Sequence, residues 1–122
     1  MNDSYLSVVL VLDTTVHQTS LRAMLDSTSL LKVVGIARGC LSALQIVQEV
    51  HPDFVLIAAD LPEAEIVSFL RAVRDETPKT RVVVLRKIPW HRSHLLDEGA
   101  SAVLSQDSSV SELLSAFISE IP

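Results

Sequence analysis

The sequence has few of the residues that mark disulfide-bonded or membrane-spanning proteins. Its single cysteine, Cys40, excludes an internal disulfide and fits a reducing compartment. Its apolar runs, such as residues 8–12, are far too short to cross a bilayer. No basic segment precedes that run, as one would in a signal peptide. We therefore expect a soluble, cytoplasmic protein that does not bind a membrane.

Basic clusters and aromatic residues are also scarce. No basic cluster exceeds the pair Arg86-Lys87, and the formal net charge is -5. Because nucleic-acid binding depends on neutralising phosphates, we expect this segment to bind none. Aromatic residues make up 4% of the chain and hydrophobic residues 48%, which predicts a largely aliphatic core. A length of 122 residues predicts a single domain over residues 1–122.

Short apolar runs alternate along the chain with longer amphipathic segments. The runs predict strands over residues 7–12, 32–37, 54–58, 81–85 and 102–104. Apolar side chains at helical spacing predict helices over residues 16–27, about 41–51, around 66–73, 92–98 and 111–121. This alternation implies parallel βαβ crossovers. Five such units fit an α/β flavodoxin-like doubly wound sheet with strand order 2-1-3-4-5.

Function in open sheets of this kind lies at the carboxyl ends of the strands. The residues that follow the predicted strands are therefore the candidates for a site: Asp13, Thr14, Ala58, Arg86 and Gln106.

Four local patterns carry a resemblance to a known family. They are VVGIA at residues 33–37, PDFVLI at residues 52–57, Pro62, and the turn Glu98-Gly99-Ala100. In this order and spacing they are similar to the receiver domains of bacterial two-component response regulators. The chain most resembles receivers of LuxR/NarL-type transcription factors, over residues 7–121.

The departures from that family fall on its chemical positions. The phosphoacceptor aspartate of the family corresponds to Ala58. Of its two adjacent acidic residues that hold Mg²⁺, Asp13 is retained and the other corresponds to Thr14. The hydroxyl residue that ends the fourth strand corresponds to Arg86, and the lysine after the fifth strand to Gln106.

These replacements predict a degenerate pseudo-receiver. Alanine offers no nucleophile for phosphoryl transfer. Mg²⁺ needs hard oxygen ligands, and two of its three expected carboxylates are missing. We therefore expect no enzymatic activity, no Mg²⁺ cofactor and a phosphorylation-independent role in protein–protein interaction.

Two alternatives remain open at these positions. Asp60 lies two residues beyond Ala58 and is a candidate displaced phosphoacceptor, with Asp13 holding Mg²⁺. Arg86 either occupies the vacated pocket, bound to Asp13 or Asp60, or is a solvated side chain at a strand end. A small molecule in the vacated cleft is a third use of the site.

The resemblance also implies partners. Family receivers commonly form homodimers and precede a helix-turn-helix DNA-binding domain, which we expect to follow Pro122. The stretch of residues 86–99 is about two residues shorter than usual in the family, so its helix is expected to be short. The last predicted helix, residues 111–121, is the expected dimer surface. Its candidate contact residues are Leu114, Ser115, Ile118 and Ser119.

Overall fold

A computed structural model describes residues 5–12, 31–58, 61–86 and 92–105, together with residues 112 and 115. The strands are β1 (Leu6–Val11), β2 (Leu31–Ala37), β3 (Phe54–Ile57), β4 (Arg81–Arg86) and β5 (Ala102–Ser105). The helices within these ranges are α1 (Cys40–Val50), α2 (Glu63–Glu76) and α3 (Arg92–Asp97).

All five strands run parallel in the order β2-β1-β3-β4-β5. The predicted doubly wound strand order is confirmed. The predicted short helix after the fourth strand is confirmed as α3, which has six residues. The predicted helices over residues 16–27 and 111–121 lie outside the described residues, except that residues 112 and 115 are helical.

The central strands are buried on both faces of the sheet. In β3 the alternate residues Val55 and Ile57 join the core cluster that also contains residues of α1, α2 and α3. Phe54 and Leu56 join the cluster on the opposite face. Strands covered on both faces are apolar throughout instead of alternating between apolar and polar residues. The sequence of β3, FVLI, is apolar throughout.

The edge strand β2 carries an irregularity and a close helix contact. Its pairing with β1 shifts between Val8 and Val9, which leaves Val34 without a partner in the register. A bulge of this kind bends an edge strand and blunts it against pairing with another chain. A Cβ atom on the neighbouring Gly35 would lie 2.9 Å from Ile46 Cγ2, so a glycine there allows α1 to pack closely on the strand.

The start of α1 is capped from another helix. Its N-cap residue, Gly39, has no side chain to accept a hydrogen bond from the first turn. The backbone N–H of Cys40 instead donates to Glu65 Oε2 on α2, over 3.2 Å. The first N–H groups of a helix have no acceptor within the helix, and a carboxylate also interacts favourably with the positive end of the helix dipole. Glu65 therefore joins α1 to α2 at this point.

We predict that Glu65→Ala lowers the free energy of unfolding by roughly 0.5–2 kcal/mol, the usual cost of losing a helix cap. Urea denaturation followed by circular dichroism measures the change. Glu65→Gln is the matched control, because its amide oxygen still accepts the Cys40 N–H. An alanine variant as stable as the wild type would contradict the capping role.

Candidate functional site

The carboxyl ends of the strands meet along one edge of the sheet. The pairing of Val11 with Ile57 brings the ends of β1 and β3 level. Ile57 pairs with Val84, and β4 continues two residues further to Arg86. Arg86 and Ser105 pair where β4 and β5 end. Ala58, one residue beyond β3, and Arg86 are thus placed at the edge where the sequence predicted the site.

Ala58 extends the apolar core to this edge. Its N–H donates to the Val11 carbonyl oxygen over 2.8 Å, which continues the β1–β3 ladder by one residue. Its side chain is 6% exposed and belongs to the same core cluster as Leu12, Leu56 and Leu85. The group at the end of β3 is therefore a buried methyl, which has no atom that could accept a phosphoryl group.

Arg86 links the end of β4 to the segment that leads into α2. Its side chain is half-buried, and Nη1 donates to the Leu61 carbonyl oxygen over 3.3 Å. Leu61 itself packs against the core cluster beneath the helices. The guanidinium is therefore bound to a residue that packs on the core, and it does not extend freely into solvent.

Four of the predicted pocket residues, Asp13, Thr14, Asp60 and Gln106, lie outside the described residues. The predicted contact of Arg86 with Asp13 or Asp60 therefore stays a prediction. Among the candidate interface residues, Leu114, Ile118 and Ser119 also lie outside them. Ser115 is described, and it is helical and exposed.

Two contributors to this edge were not predicted from the sequence. The Leu61 carbonyl oxygen is a backbone group, and no sequence signal shows its direction. Glu63, the first residue of α2, has an Oε1 atom that is shielded from solvent and has no hydrogen-bond partner. Acidic residues are favoured in the first turn of a helix, so this preference was the sequence signal that could have placed Glu63 at the start of α2.

Neither a metal cluster nor a membrane-spanning helix is found in the described parts of the chain. No group of three or more His, Cys, Asp or Glu side chains there could hold a metal ion. No helix within those residues has the length and apolar character needed to cross a membrane.

Comparisons with known proteins agree with this fold. No protein-family model matches the chain. It is 28% identical over 111 residues to the uncharacterized transcriptional regulatory protein YhcZ of Bacillus subtilis, covering 89% of this chain and 52% of that protein. It is 29% identical over 97 residues to a protein-glutamate methylesterase/protein-glutamine glutaminase of Lawsonia intracellularis. That match covers 80% of this chain and 25% of the methylesterase, so the chain spans at most about half the length of these two relatives.

A solved structure matches over nearly the whole chain. The signal receiver domain of the response regulator NarL from Mycobacterium tuberculosis superposes with a TM-score of 0.85 at 24% identity. The superposition covers 95% of each chain. Together with the observed strand order, this likeness shows that the chain has the fold of a response-regulator receiver domain.

Proposed function

We propose that this chain is a pseudo-receiver: a cytoplasmic, non-catalytic interaction module that works in signal transduction without being phosphorylated. The observation that carries the proposal is the buried methyl of Ala58 at the end of β3. Phosphoryl transfer needs an attacking oxygen at this point, and alanine supplies none.

The second described group at this edge argues against Mg²⁺. Arg86 brings a permanent positive charge to the end of β4, next to the segment that contains Leu61. A divalent cation prefers carboxylate and carbonyl oxygens, and a nearby guanidinium repels it. The site therefore requires no metal cofactor in this proposal.

Arg86 also offers a physical reason why this site would keep a single conformation. A side chain that joins β4 to the start of α2 restricts the relative movement of these elements. In a receiver without phosphorylation, such a link keeps the surface in one arrangement. Signalling then depends on which partners are present, not on a change in this site.

The two relatives suggest different whole proteins. YhcZ is named a transcriptional regulatory protein, and this chain spans 52% of it. The other relative is a methylesterase, of which the chain spans only 25%. We propose the first setting, in which the chain is the regulatory domain of a transcription factor of the LuxR/NarL type. A DNA-binding domain would follow Pro122, and this segment itself would bind no nucleic acid.

We predict that acetyl phosphate and Mg²⁺ add no phosphoryl group to the chain, because residue 58 has no nucleophile. Intact-protein mass spectrometry measures the modification, and titration calorimetry measures Mg²⁺ binding, which we expect to be absent. The alternative function is a working receiver that uses Asp60 as phosphoacceptor, with Asp13 and Mg²⁺, and it predicts that the chain is phosphorylated. A gain of one phosphoryl mass that disappears in Asp60→Asn would establish this alternative and overturn our proposal.

We predict that Arg86→Ala loosens the start of α2, because it removes the donor to the Leu61 carbonyl. Hydrogen–deuterium exchange of peptides that cover residues 58–66 should become faster. The free energy of unfolding should fall by roughly 0.5–1.5 kcal/mol, the usual net contribution of one hydrogen bond, because this bond is 3.3 Å long and its donor is only half-buried. Lys79→Ala, an exposed basic residue before β4, is the control and should leave both measurements unchanged. Unchanged exchange in Arg86→Ala would contradict the link.

We predict that the chain forms a homodimer through the last helix, in which Leu114, Ser115, Ile118 and Ser119 contribute contacts. A specific interface of this kind buries more than roughly 1,000 Å² in total. A charge placed in it, as in Ser115→Glu or Ser119→Glu, should shift the dimer to monomer in multi-angle light scattering. Ala64→Glu, on the exposed side of α2, is the control. A wild-type chain that stays monomeric at micromolar concentrations would count against dimerisation.

A further inference from the structure

A small apolar groove lies between α1 and α2. It has a volume of about 210 Å³ and is lined by Cys40, Leu41, Leu44, Glu65, Ser68 and Phe69. Leu41 is 76% exposed, more than any other large hydrophobic side chain among the described residues. The groove shares no residue with the strand ends at Ala58 and Arg86, so binding in it would not depend on whether the chain is phosphorylated.

The walls of the groove carry almost no charge. From Cys40 to Gln48, α1 contains no charged residue. Burial, together with the nearby Glu65 carboxylate, raises the pKa of the Cys40 thiol to about 12. The thiol therefore stays protonated at neutral pH and brings no charge to the groove.

Glu65 is the one charged residue that lines the groove. Its Oε2 accepts the Cys40 N–H. The Cys40 thiol also interacts with this carboxylate. An ionised carboxylate has about four acceptor sites on its two oxygens, so these two donors leave part of its capacity for a partner. The basic residue nearest in sequence to Cys40 is Arg38, which is exposed and does not line the groove.

We propose that this groove binds a segment of a partner protein that inserts one or two apolar side chains and places a Lys or Arg beside Glu65. The volume is below the roughly 300–1,000 Å³ of typical small-molecule pockets, which fits side chains better than a free ligand. A basic side chain matches both parts of the lining, since its methylene stem covers Leu41 and Leu44 while its cation reaches the carboxylate.

The negative charge of Glu65 favours a basic partner segment over other occupants of the groove. Pairing of this groove with the groove of a second copy across a twofold axis would bring the two Glu65 carboxylates toward each other. Nucleic acids and anionic membranes would meet the same repulsion. A protein with a segment that is both apolar and basic is therefore the partner that the apolar walls and the carboxylate favour.

Peptide selection tests this proposal. A random 12-residue phage library is selected on the full chain and counter-selected on Leu41→Glu, and the enriched peptides are synthesised and measured by fluorescence polarisation. We expect sequences in which a Lys or Arg is flanked by apolar residues. Their affinity should fall at least about tenfold with Leu41→Glu, the scale of losing a central interface contact. Glu65→Gln, which keeps the helix cap, should weaken binding and reduce its dependence on salt.

Two controls separate the groove from general effects. Leu96→Glu, an exposed leucine on α3, should bind the selected peptides as the wild type does. Leu41→Ala tests the same contact without adding a charge, and circular dichroism verifies that each variant is folded. Selection of acidic peptides, or of none that depend on Leu41, would overturn the proposal. So would self-association of the wild type that Leu41→Glu abolishes, because the occupant would then be a second copy.

Discussion

Burial of β3 on both faces is the constraint on which the rest of the structure depends. Its four residues are at most 2% exposed, and each side chain belongs to one of two separate core clusters. A one-residue slip of this strand would exchange the two sets of side chains between clusters that differ in composition. The register with β1 and β4 is therefore strongly specified, and with it the position of residue 58 at the edge of the sheet.

The same constraint explains why a methyl group is well tolerated at the end of this strand. A carboxylate as buried as the Ala58 side chain would need a metal ion or several hydrogen-bond donors to offset its desolvation. Alanine removes that requirement and adds apolar contact with the cluster that contains Leu56 and Leu85. Functional sites commonly reduce stability, so under the proposed function this residue would carry no cost in stability. Arg86 follows the same reasoning, since its guanidinium donates to a partly buried backbone carbonyl, that of Leu61, and so satisfies part of its own hydrogen bonding within the chain.

The sequence predicted the sheet better than it predicted the contacts between elements. The apolar run at residues 54–58 placed β3 to within one residue, because a strand covered on both faces has an uninterrupted apolar pattern. Helix α2 begins at Glu63, before the apolar stripe that starts at Ile66, because its first turn is acidic and Pro62 precedes it. The cap that Glu65 provides for α1 could not be predicted, since it joins residues 25 positions apart through a packing of two helices. Nor could the exposure of Leu41, since it is an apolar residue at helical spacing with Leu44, which is partly buried against the core.

Glu65 has a structural role that is compatible with the binding role we propose for it. Its Oε2 completes the hydrogen bonding of the α1 start, so the carboxylate is held in place before any partner arrives. A charged group that is already positioned loses little side-chain entropy on binding, which is the general advantage of preorganised sites. A cation that binds Oε1 would leave the bond from the Cys40 N–H to Oε2 intact, because the two oxygens accept independently. The groove and the helix cap are therefore compatible, and the carboxylate that fixes α1 against α2 is also the group that gives the groove its charge.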